Sequence, residues 1–595
     1  MEYIVLEPLV SKNTGLNLSI IERKTKITAE EEKLILHEAE GSFTGFIVKK
    51  PMPLLIQESL LNFRKSDLSF KLKVLMKHLT LAQEQQEQRV LTFWFINADK
   101  KEHLNCSNMF FRNLFKQDFP RDYFSFLLRI MQIIKVVKSI SRVKVEIEKI
   151  GSPKPLGSQF LSIAHKITSS VMHLKSELIE EIGQKDPKQF EMIISGKILE
   201  FLERSFPNPM SIEELANLTQ TDLELVYKLL CNLLERDLVK FYDDGASWVR
   251  KFAHVHDQHD FYEVQQQPVL PDNQKPTIAI ITVNYYEKLA VDAMMTDKIT
   301  FYRRKPEGES NVYTIGLIGN HRVVSTKLPL LNKDSRSAKI TSGNTTTRLL
   351  GIFDQIEHVF LIGCAGAVPN YSDFSRHLRR GDIVVSVPDL SSTSEEDFIY
   401  GQFEITKNQN GFQYSTKSWL PRSPDLYRIV QTIQKSYDPQ SQQMYPWETY
   451  INEGVETLTS KELDCRRPVE DKLLFTFDDK NVIEVEHPTD SSGSFNRREY
   501  GYPVLKFGRI ASGEALTKND GLRNALSEEN GILCFDTGMD QVMESIEGNR
   551  KESYIIIRSI SDYSDGTTTK EWQPYSAVCA AAFAKTIINA LPVAN

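Results

Sequence analysis

A carboxylate that ends an apolar run is the feature of this sequence that points most directly to chemistry. Residues 554–562 read Tyr-Ile-Ile-Ile-Arg-Ser-Ile-Ser-Asp, which is typical of a buried strand with Asp562 at its C-terminal end. In open α/β sheets ligands bind at that edge, and a buried strand end can keep a carboxyl group neutral, so that it can donate a proton. The alanine-rich run 577–584 predicts a helix packed closely on the sheet.

Glu287 is a second carboxylate that follows an apolar run. Residues 277–283 predict a buried strand, and the next helix begins near Tyr286. Further predicted strands alternate with helical stretches, so we expect residues 275–595 to form a mostly parallel, three-layer α/β/α sheet. The small-residue loop Cys364, Ala365 and Gly366 follows one of these strands, but it lacks the spacing of a dinucleotide-binding loop.

Composition excludes several classes of protein. The 72 Lys and Arg residues against 79 Asp and Glu residues give a net charge of −7, so the chain as a whole is no polycation for nucleic acid or anionic lipid. The six cysteines show no paired spacing, which favours a reducing compartment and argues against disulfides and zinc. We expect no metal and no cofactor.

The sequence predicts no membrane segment. The most apolar long stretch, residues 124–140, contains Arg129, Lys135 and Lys138, which indicates a buried amphipathic helix. The N-terminus is acidic where a signal peptide would be basic. We therefore expect a cytoplasmic protein, with a nuclear location left open.

The N-terminal third carries no recognisable chemistry. Residues 1–150 are predicted to be an α+β or helical interaction module of unknown function, with a helix over 54–77 and an edge strand over 143–150. The Gly- and Pro-containing break at 151–157 is followed by a periodic stretch. We therefore expect residues 151–185 to be a helical connector.

Residues 186–255 resemble winged-helix domains. A helix over 190–204 is followed by Ser211-Ile-Glu-Glu214, which predicts a helix with a capping box. Asp222 then caps a leucine-rich helix, and a β-hairpin over 238–250 completes the pattern. The polar stretch 256–274 is the predicted linker to the last domain.

The charge of the predicted recognition helix disfavours nucleic acid. It carries four acidic residues against two basic ones, namely Asp222, Glu224, Glu235 and Asp237 against Lys228 and Arg236. A helix that enters a groove lined with phosphates needs the opposite balance. Contact with a protein partner is the preferred interpretation, for the winged helix or for the N-terminal module.

Four segments in order resemble the superfamily of purine nucleoside phosphorylases and methylthioadenosine/S-adenosylhomocysteine nucleosidases. They are residues 278–287, 362–369, 508–514 and 558–575. The likeness covers about residues 275–592 and is greatest to the eukaryotic form found in multidomain proteins, fused to ankyrin repeats or NACHT-type NTPases. It implies a nucleoside phosphorylase-like fold.

The resemblance also implies cleavage of a purine N-ribosidic bond. The departing purine needs an acid, and the ribosyl cation needs a nucleophile beneath the sugar. Asp562 matches the family's acid, and Glu287 matches the carboxylate that orients water. Two purely structural alternatives stay open. In the first, Asp562 is a helix N-cap, and in the second, Glu287 is a solvated residue of a first helical turn.

Water is the expected nucleophile. The family's phosphorylases place arginines for phosphate just before the glycine loop and after the first strand. Here those regions hold Leu361 and residues 282–286, which supply no cation.

The expected substrate-binding residues depart from the family pattern. The resemblance assigns contacts with substrate to Cys364, Ala365, Gly366, Ser512, Gly513, Leu516, Asp536, Thr537, Gly538 and Ser561. Leu516 stands where the family has an aromatic residue that stacks on the base. Gly538 stands where the family has the glutamate that accepts hydrogen bonds from both ribose hydroxyls. Loss of that glutamate costs on the order of 3 kcal/mol of substrate-binding free energy. Asp540 would compensate only if the backbone shifts.

Three functions therefore remain open. The first is purine nucleoside or nucleotide hydrolysis, with ATP among the candidate substrates. The second is an impaired pseudoenzyme that senses nucleosides or acts as a protein scaffold. The third, disfavoured by charge, is a winged-helix regulator bound to DNA. Relatives form dimers or larger rings, so the resemblance also implies a homo-oligomer.

Overall fold

The computed structural model forms two compact units. The first unit comprises Met1–Ser158, Pro369–His377 and Lys472–Ser491, and the second comprises Gln159–Val368, Leu378–Asp471 and Ser492–Asn595. The structure describes residues 2–10, 17–39, 44–50, 52–53, 66–77, 84–97, 99–116, 119–120, 123–150, 187–242, 247–251, 260–264, 270–304, 310–329, 335–388, 398–408, 411–460, 463–476, 482–489, 495–512, 520–536, 539–563 and 570–592. The predicted connector 151–185 therefore lies outside the described residues, and the predicted domain boundaries stay predictions.

One sheet organises the first unit. Its strands are β1 (Tyr3–Val10), β2 (Asn17–Lys24), β3 (Ile35–Glu38), β4 (Phe46–Lys49), β5 (Met52–Pro53), β6 (Leu68–Lys77), β7 (Glu84–Phe95) and β8 (Ile140–Ile150), followed by β21 (Leu473–Thr476) and β22 (Val482–Val485) from far along the chain. The order across the sheet is β21-β22-β6-β7-β8-β2-β1-β4-β3, with β5 beside β1. The hairpin β21–β22 thus extends a sheet built from the N-terminal part of the chain.

Two predictions for this unit are wrong. Residues 68–77, predicted as part of a helix over 54–77, form strand β6 instead, because their apolar side chains alternate as a half-buried strand requires; residues 54–65 lie outside the described part. The predicted edge strand 143–150 lies in β8, which pairs with both β7 and β2. The helices are α1 (Ala29–Glu32), α2 (Lys100–Phe115) and α3 (Tyr123–Val136).

The second unit contains three helices followed by a small sheet. They are α4 (Pro187–Ser205), α5 (Ile212–Thr219) and α6 (Leu223–Glu235), with the antiparallel strands β9 (Met210–Ser211), β10 (Val239–Tyr242) and β11 (Ser247–Arg250). The predicted capping box is confirmed, since Glu214 N–H donates to Ser211 Oγ and the Glu214 carboxylate accepts from Ser211 N–H. Asp222 caps α6 as predicted. Buried side chains of all three helices, such as Ile198, Leu215 and Leu230, form one core.

The second unit also contains a large mixed sheet. Its strands are β12 (Asp260–Glu263), β13 (Ile278–Thr282), β14 (Thr296–Arg303), β15 (Asn311–Ile318), β16 (His321–Lys327), β17 (His358–Ala367), β18 (Ile383–Ser386), β19 (Tyr400–Asn408), β20 (Gly411–Trp419), β23 (Leu505–Ser512), β24 (Ile532–Asp536) and β25 (Ser553–Asp562). The central strands β16, β13, β17 and β25 are parallel neighbours in that order. Antiparallel pairs, such as β14 with β15 and β19 with β20, lie farther out. The arrangement is mixed α/β, and the predicted three layers stay a prediction.

Helices connect these strands. They are α7 (Tyr285–Ala293), α8 (Ser335–Ile352), α9 (Asp425–Ser436), α10 (Pro446–Leu458), α11 (Asp520–Asn530), α12 (Asp540–Gly548) and α13 (Gln573–Asn589). The predicted alanine-rich helix is confirmed as α13, in which residues 577–584 are all buried. Its small side chains allow it to contact β17 and β25. Within the part of the chain that the structure describes, none of the helices combines the length and apolar character needed to span a bilayer.

Candidate active site

Glu287 is buried at the start of helix α7. Its Oε2 accepts hydrogen bonds from the backbone N–H groups of Val283 at 2.9 Å and Asn284 at 2.8 Å. Its Oε1 accepts one from Cys364 N–H, on strand β17, at 2.8 Å. The alternative of a solvated residue is wrong, because Glu287 is only 5% exposed.

The three bonds leave the Glu287 carboxylate with little spare capacity. An ionised carboxylate offers about four lone-pair sites, and backbone amides of Val283, Asn284 and Cys364 use three of them. About one acceptor site therefore remains for a ligand or a single water. The bond from Asn284 N–H is one half of the capping box of α7, so Glu287 also stabilises the helix that carries it.

Asp562 is the last residue of β25, as predicted. It pairs in register with Gly366 on β17, and Ser561 Oγ donates to Asp562 Oδ2 at 3.2 Å. Ser561 is buried, and Asp562 is half-buried. The alternative that Asp562 caps the following α-helix is wrong for the described helices, since α13 has Trp572 at its N-cap.

Strand β17 brings the two carboxylates to one sheet edge. Cys364 holds Glu287 through its amide, and Gly366, two residues later, is the register partner of Asp562. Burial raises the pKa of the Cys364 thiol well above its usual range, and the charges of Glu287 and Asp562 raise it further. Cys364 Sγ also lies 3.6 Å from the carbonyl oxygen of Gln573, at the start of α13. Ala365, between Cys364 and Gly366, is buried. The predicted small-residue loop is wrong, because these three residues lie within strand β17 and pair with β25.

Asp536, one of the predicted substrate contacts, holds a buried arginine. Arg558 Nε and Nη2 donate to Asp536 Oδ2 at 2.8 and 2.7 Å, and Tyr400 Oη donates to Oδ1 at 2.7 Å. Burial is the largest influence on the Arg558 pKa and lowers it, but Asp536 and then Glu287 outweigh it and raise the pKa overall. Sequence reasoning did not single out Arg558, although a lone arginine inside the apolar run 554–560 is a usable signal.

The remaining predicted contacts are only partly described. Ser512 ends β23, is buried, and pairs in register with Asp536. Gly513, Leu516, Thr537 and Gly538 lie outside the described residues. Asp540 is the first residue of α12. No group of three or more His, Cys, Asp or Glu residues that could hold a metal ion occurs among the described residues.

Lys327 is a second functional candidate that the sequence did not reveal. It is fully buried at the end of β16, beside Thr282 at the end of β13. Burial lowers its pKa to about 7, against the opposing influence of Glu287 and Glu203. Its Nζ donates to the backbone carbonyls of Arg204 and Phe206 at 3.0 and 2.7 Å, which ties the sheet to the end of α4.

Sequence comparisons identify one domain and one longer relative. The family model described as a winged helix-turn-helix domain matches residues 184–252, which confirms the predicted winged helix. A nucleotide-binding leucine-rich repeat (NLR)-like protein of Hyaloscypha variabilis is 27% identical over 290 residues, or 48% of this chain. The chain covers 26% of the length of that relative.

Structure comparison finds nucleosidases among the similar chains. A 5'-methylthioadenosine/S-adenosylhomocysteine nucleosidase of Neisseria meningitidis, solved with methylthio-immucillin-A, is 12% identical with a TM-score of 0.32, covering 53% of this chain and all (100%) of its own. The corresponding Streptococcus pyogenes nucleosidase is 14% identical with a TM-score of 0.32, covering 54% of this chain and 98% of its own. Futalosine hydrolase of Helicobacter pylori is 15% identical with a TM-score of 0.30, covering 54% and 100%.

Proposed function

We propose that the domain predicted over residues 275–595 hydrolyses the N-ribosidic bond of a purine nucleoside or nucleotide. The observation that carries the proposal is that four separate segments meet beside the C-terminal part of strand β17. Strands β13 and β25 lie parallel to β17, and β23 reaches it through β24, which pairs with β17 at Gly366. Strand β13 leads into Glu287, β17 supplies Cys364 and Gly366, and β23 and β25 end at Ser512 and Asp562. Glu287 and Asp562 are both anchored to β17 there.

The two carboxyl groups take different roles. Asp562 is half-buried at a strand end, where its protonated form can donate to the departing purine. Glu287 accepts three backbone N–H groups, so it acts only as an acceptor. Its remaining acceptor site suits one water, which it would hold beneath the sugar while its charge stabilises the ribosyl cation.

Water is a better nucleophile here than phosphate. Arg558 and Lys327, two cations whose pKa values the charge of Glu287 raises, are both engaged, Arg558 with Asp536 and Lys327 with backbone carbonyls. A bound phosphate dianion would need a positively charged hydrogen-bond donor. Both side chains already use their donors in the bonds just named. Released sugar without a phosphate group is the expected second product.

The substrate test uses the full chain. We would incubate it with adenosine, methylthioadenosine, inosine and ATP, with and without inorganic phosphate, and measure free base by chromatography. Base release from at least one substrate at a rate independent of phosphate is the expected result. The enzyme proposal would be wrong if no substrate released base, and if none did so after Gly538→Glu restores the family's acidic residue. That outcome would favour the nucleoside-sensing scaffold.

We also propose that the winged helix contacts a protein rather than DNA. The face of α6 exposes Leu223, Tyr227 and Leu234, which are 48%, 55% and 42% exposed. These residues follow a spacing that places them on one stripe of the helix. Lys228, one of two basic residues of this region, pairs with Glu191 at 2.6 Å. An apolar stripe with acidic flanks suits a protein partner with basic and apolar side chains.

A further inference from the structure

Three consecutive residues open helix α7, and the first two face the winged-helix segment. Tyr285 Oη donates to the carbonyl of Lys251 at 2.8 Å, just after β11. Tyr286 Oη donates to Glu203 on α4 at 3.1 Å. The third residue of this turn is Glu287, whose carboxylate faces Cys364 at the candidate site.

The groups that accept the hydrogen bonds of these tyrosines are themselves held in place. Glu203 is buried and also accepts from Arg250 Nε at 3.3 Å. The Arg250 guanidinium lies 4.9 Å from the centre of the Tyr285 ring, within the range of a cation–π contact. The ring of Phe206, just after α4, packs edge-on against Tyr285 at 5.7 Å. Both tyrosine side chains therefore contact a packed interface of the winged-helix segment, and not mobile groups on the surface.

A third link joins the same segment to the strand that precedes α7. Lys327 Nζ donates to the carbonyl of Arg204, in the last turn of α4, and to that of Phe206, just after the helix. The next residue, Leu328, donates its N–H to the carbonyl of Thr282 at 2.8 Å. Thr282 ends β13, three residues before α7 begins.

We propose that the winged-helix segment is a positioning element of the candidate active site, which holds Glu287 in place through Tyr285 and Tyr286. Its catalytic consequence rests on the proposed function, whereas the positioning itself does not. A protein bound to the winged helix would then regulate the site by shifting the first turn of α7. Such a role also explains why both tyrosines use their hydroxyl groups rather than merely filling space.

The test compares two tyrosine substitutions with a matched third. Tyr285→Phe and Tyr286→Phe each remove one hydroxyl that links α7 to the winged helix. Tyr302→Phe removes a hydroxyl that donates to the carbonyl of Pro207 at 2.9 Å. Tyr302 lies on β14, so this control weakens the same interface without touching α7.

Hydrogen exchange followed by mass spectrometry gives a readout that needs no activity. The amides of Val283, Asn284 and Cys364 donate to Glu287, so their exchange reports how firmly Glu287 is held. Each α7 variant is expected to speed this exchange about fivefold, the effect of losing one hydrogen bond, and Tyr302→Phe is expected to leave it unchanged. Unchanged exchange in both α7 variants, or an equal rise in the control, would overturn the inference.

Kinetics separate this inference from the proposed function. If the chain releases base, the α7 variants are expected to lower kcat about tenfold with little change in KM, because the substrate-binding residues stay in place. Equal kcat loss in Tyr302→Phe would indicate a general structural effect and would contradict positioning. If no base is released by any form of the chain, the proposed function fails, and the exchange result alone decides the positioning.

Discussion

Gly363 leaves open the space that the Glu287 carboxylate occupies: a Cβ atom at Gly363 would lie 2.6 Å from Glu287 Oε1 and 2.8 Å from its Cδ. Both distances are shorter than atoms tolerate, and backbone bonds prevent the carboxylate from moving away freely. Gly363, within strand β17, is therefore needed for close approach of a side chain from α7, and not for an unusual backbone angle.

The first prediction follows from this contact. Gly363→Ala should displace Glu287, lower the free energy of unfolding by about 1–3 kcal/mol, and reduce base release. Gly351→Ala is the matched control, since a Cβ there meets nothing within 4 Å and the residue lies in helix α8; it should be neutral or slightly stabilising. Urea unfolding and a base-release assay check both variants. Equal stability of the two variants would contradict the steric argument.

The second prediction concerns the acid. Asp562→Asn keeps the size of the side chain but removes the proton donor, so base release should fall by about 10²–10⁴-fold. Asp425→Asn, an exposed residue at the start of α9, should retain full activity. Both proteins should show the same thermal unfolding midpoint as the parent, which separates chemistry from folding. Undiminished activity of Asp562→Asn would remove Asp562 from the mechanism.

Much of the second unit was predictable because its patterns are local. Capping at Ser211 and Asp222, the strand ending at Asp562 and the alanine-rich helix α13 all follow from a few adjacent residues. The Cys364 partner of Glu287 was not predictable, since this bond joins residues far apart in the chain, whereas Val283 and Asn284 lie within four residues of Glu287.

Other features depended on contacts that no local pattern encodes. Arg558 and Asp536 are 22 residues apart and meet only across strands. The hairpin β21–β22 pairs with β6 although about 400 residues separate them, as in Glu484 opposite Lys71. The wrong helix over 54–77 is different, because the alternation of apolar residues in β6 is local and visible in the sequence, and a period of two indicates a strand.

The third prediction concerns the buried pair Arg558–Asp536. Arg558→Met leaves a buried carboxylate with one partner fewer, and should lower the free energy of unfolding by about 3–5 kcal/mol. Arg558→Met combined with Asp536→Leu should recover most of this loss, because no unpaired charge remains buried. The exposed pair of Arg466 and Asp464 is the control, and Arg466→Met should cost less than about 1 kcal/mol. A double variant no more stable than the single one in urea unfolding would contradict this account.

The fourth prediction concerns pH. Burial lowers the pKa of Lys327 from 10.5 to about 7, so between these values the unfolded chain holds a proton that the folded chain has lost. The free energy of unfolding should therefore rise with pH from about 7 upward, by at most about 1.4 kcal/mol per pH unit. Below pH 7 both states are protonated and this contribution is constant.

Substitution isolates this contribution from other titrating groups. Lys327→Met should flatten the rise in stability between pH 7 and 9 relative to the parent. Lys435→Met, on the exposed face of α9, should keep the slope of the parent. Urea unfolding at several pH values gives the three slopes, and identical slopes for parent and Lys327→Met would show that Lys327 is not the group responsible.

The fifth prediction is that the winged helix does not bind duplex DNA. The α6 region carries more acidic than basic residues, so phosphates would be repelled. The full chain should show no binding to a fluorescent duplex at micromolar concentration in about 50 mM salt, where non-specific binders are readily detected. Glu224→Lys combined with Glu235→Lys, both exposed positions, should introduce weak binding that disappears as salt is raised. Salt-dependent binding by the unaltered chain would instead favour the DNA-bound regulator, because electrostatic contact with phosphates would then exist despite the acidic helix.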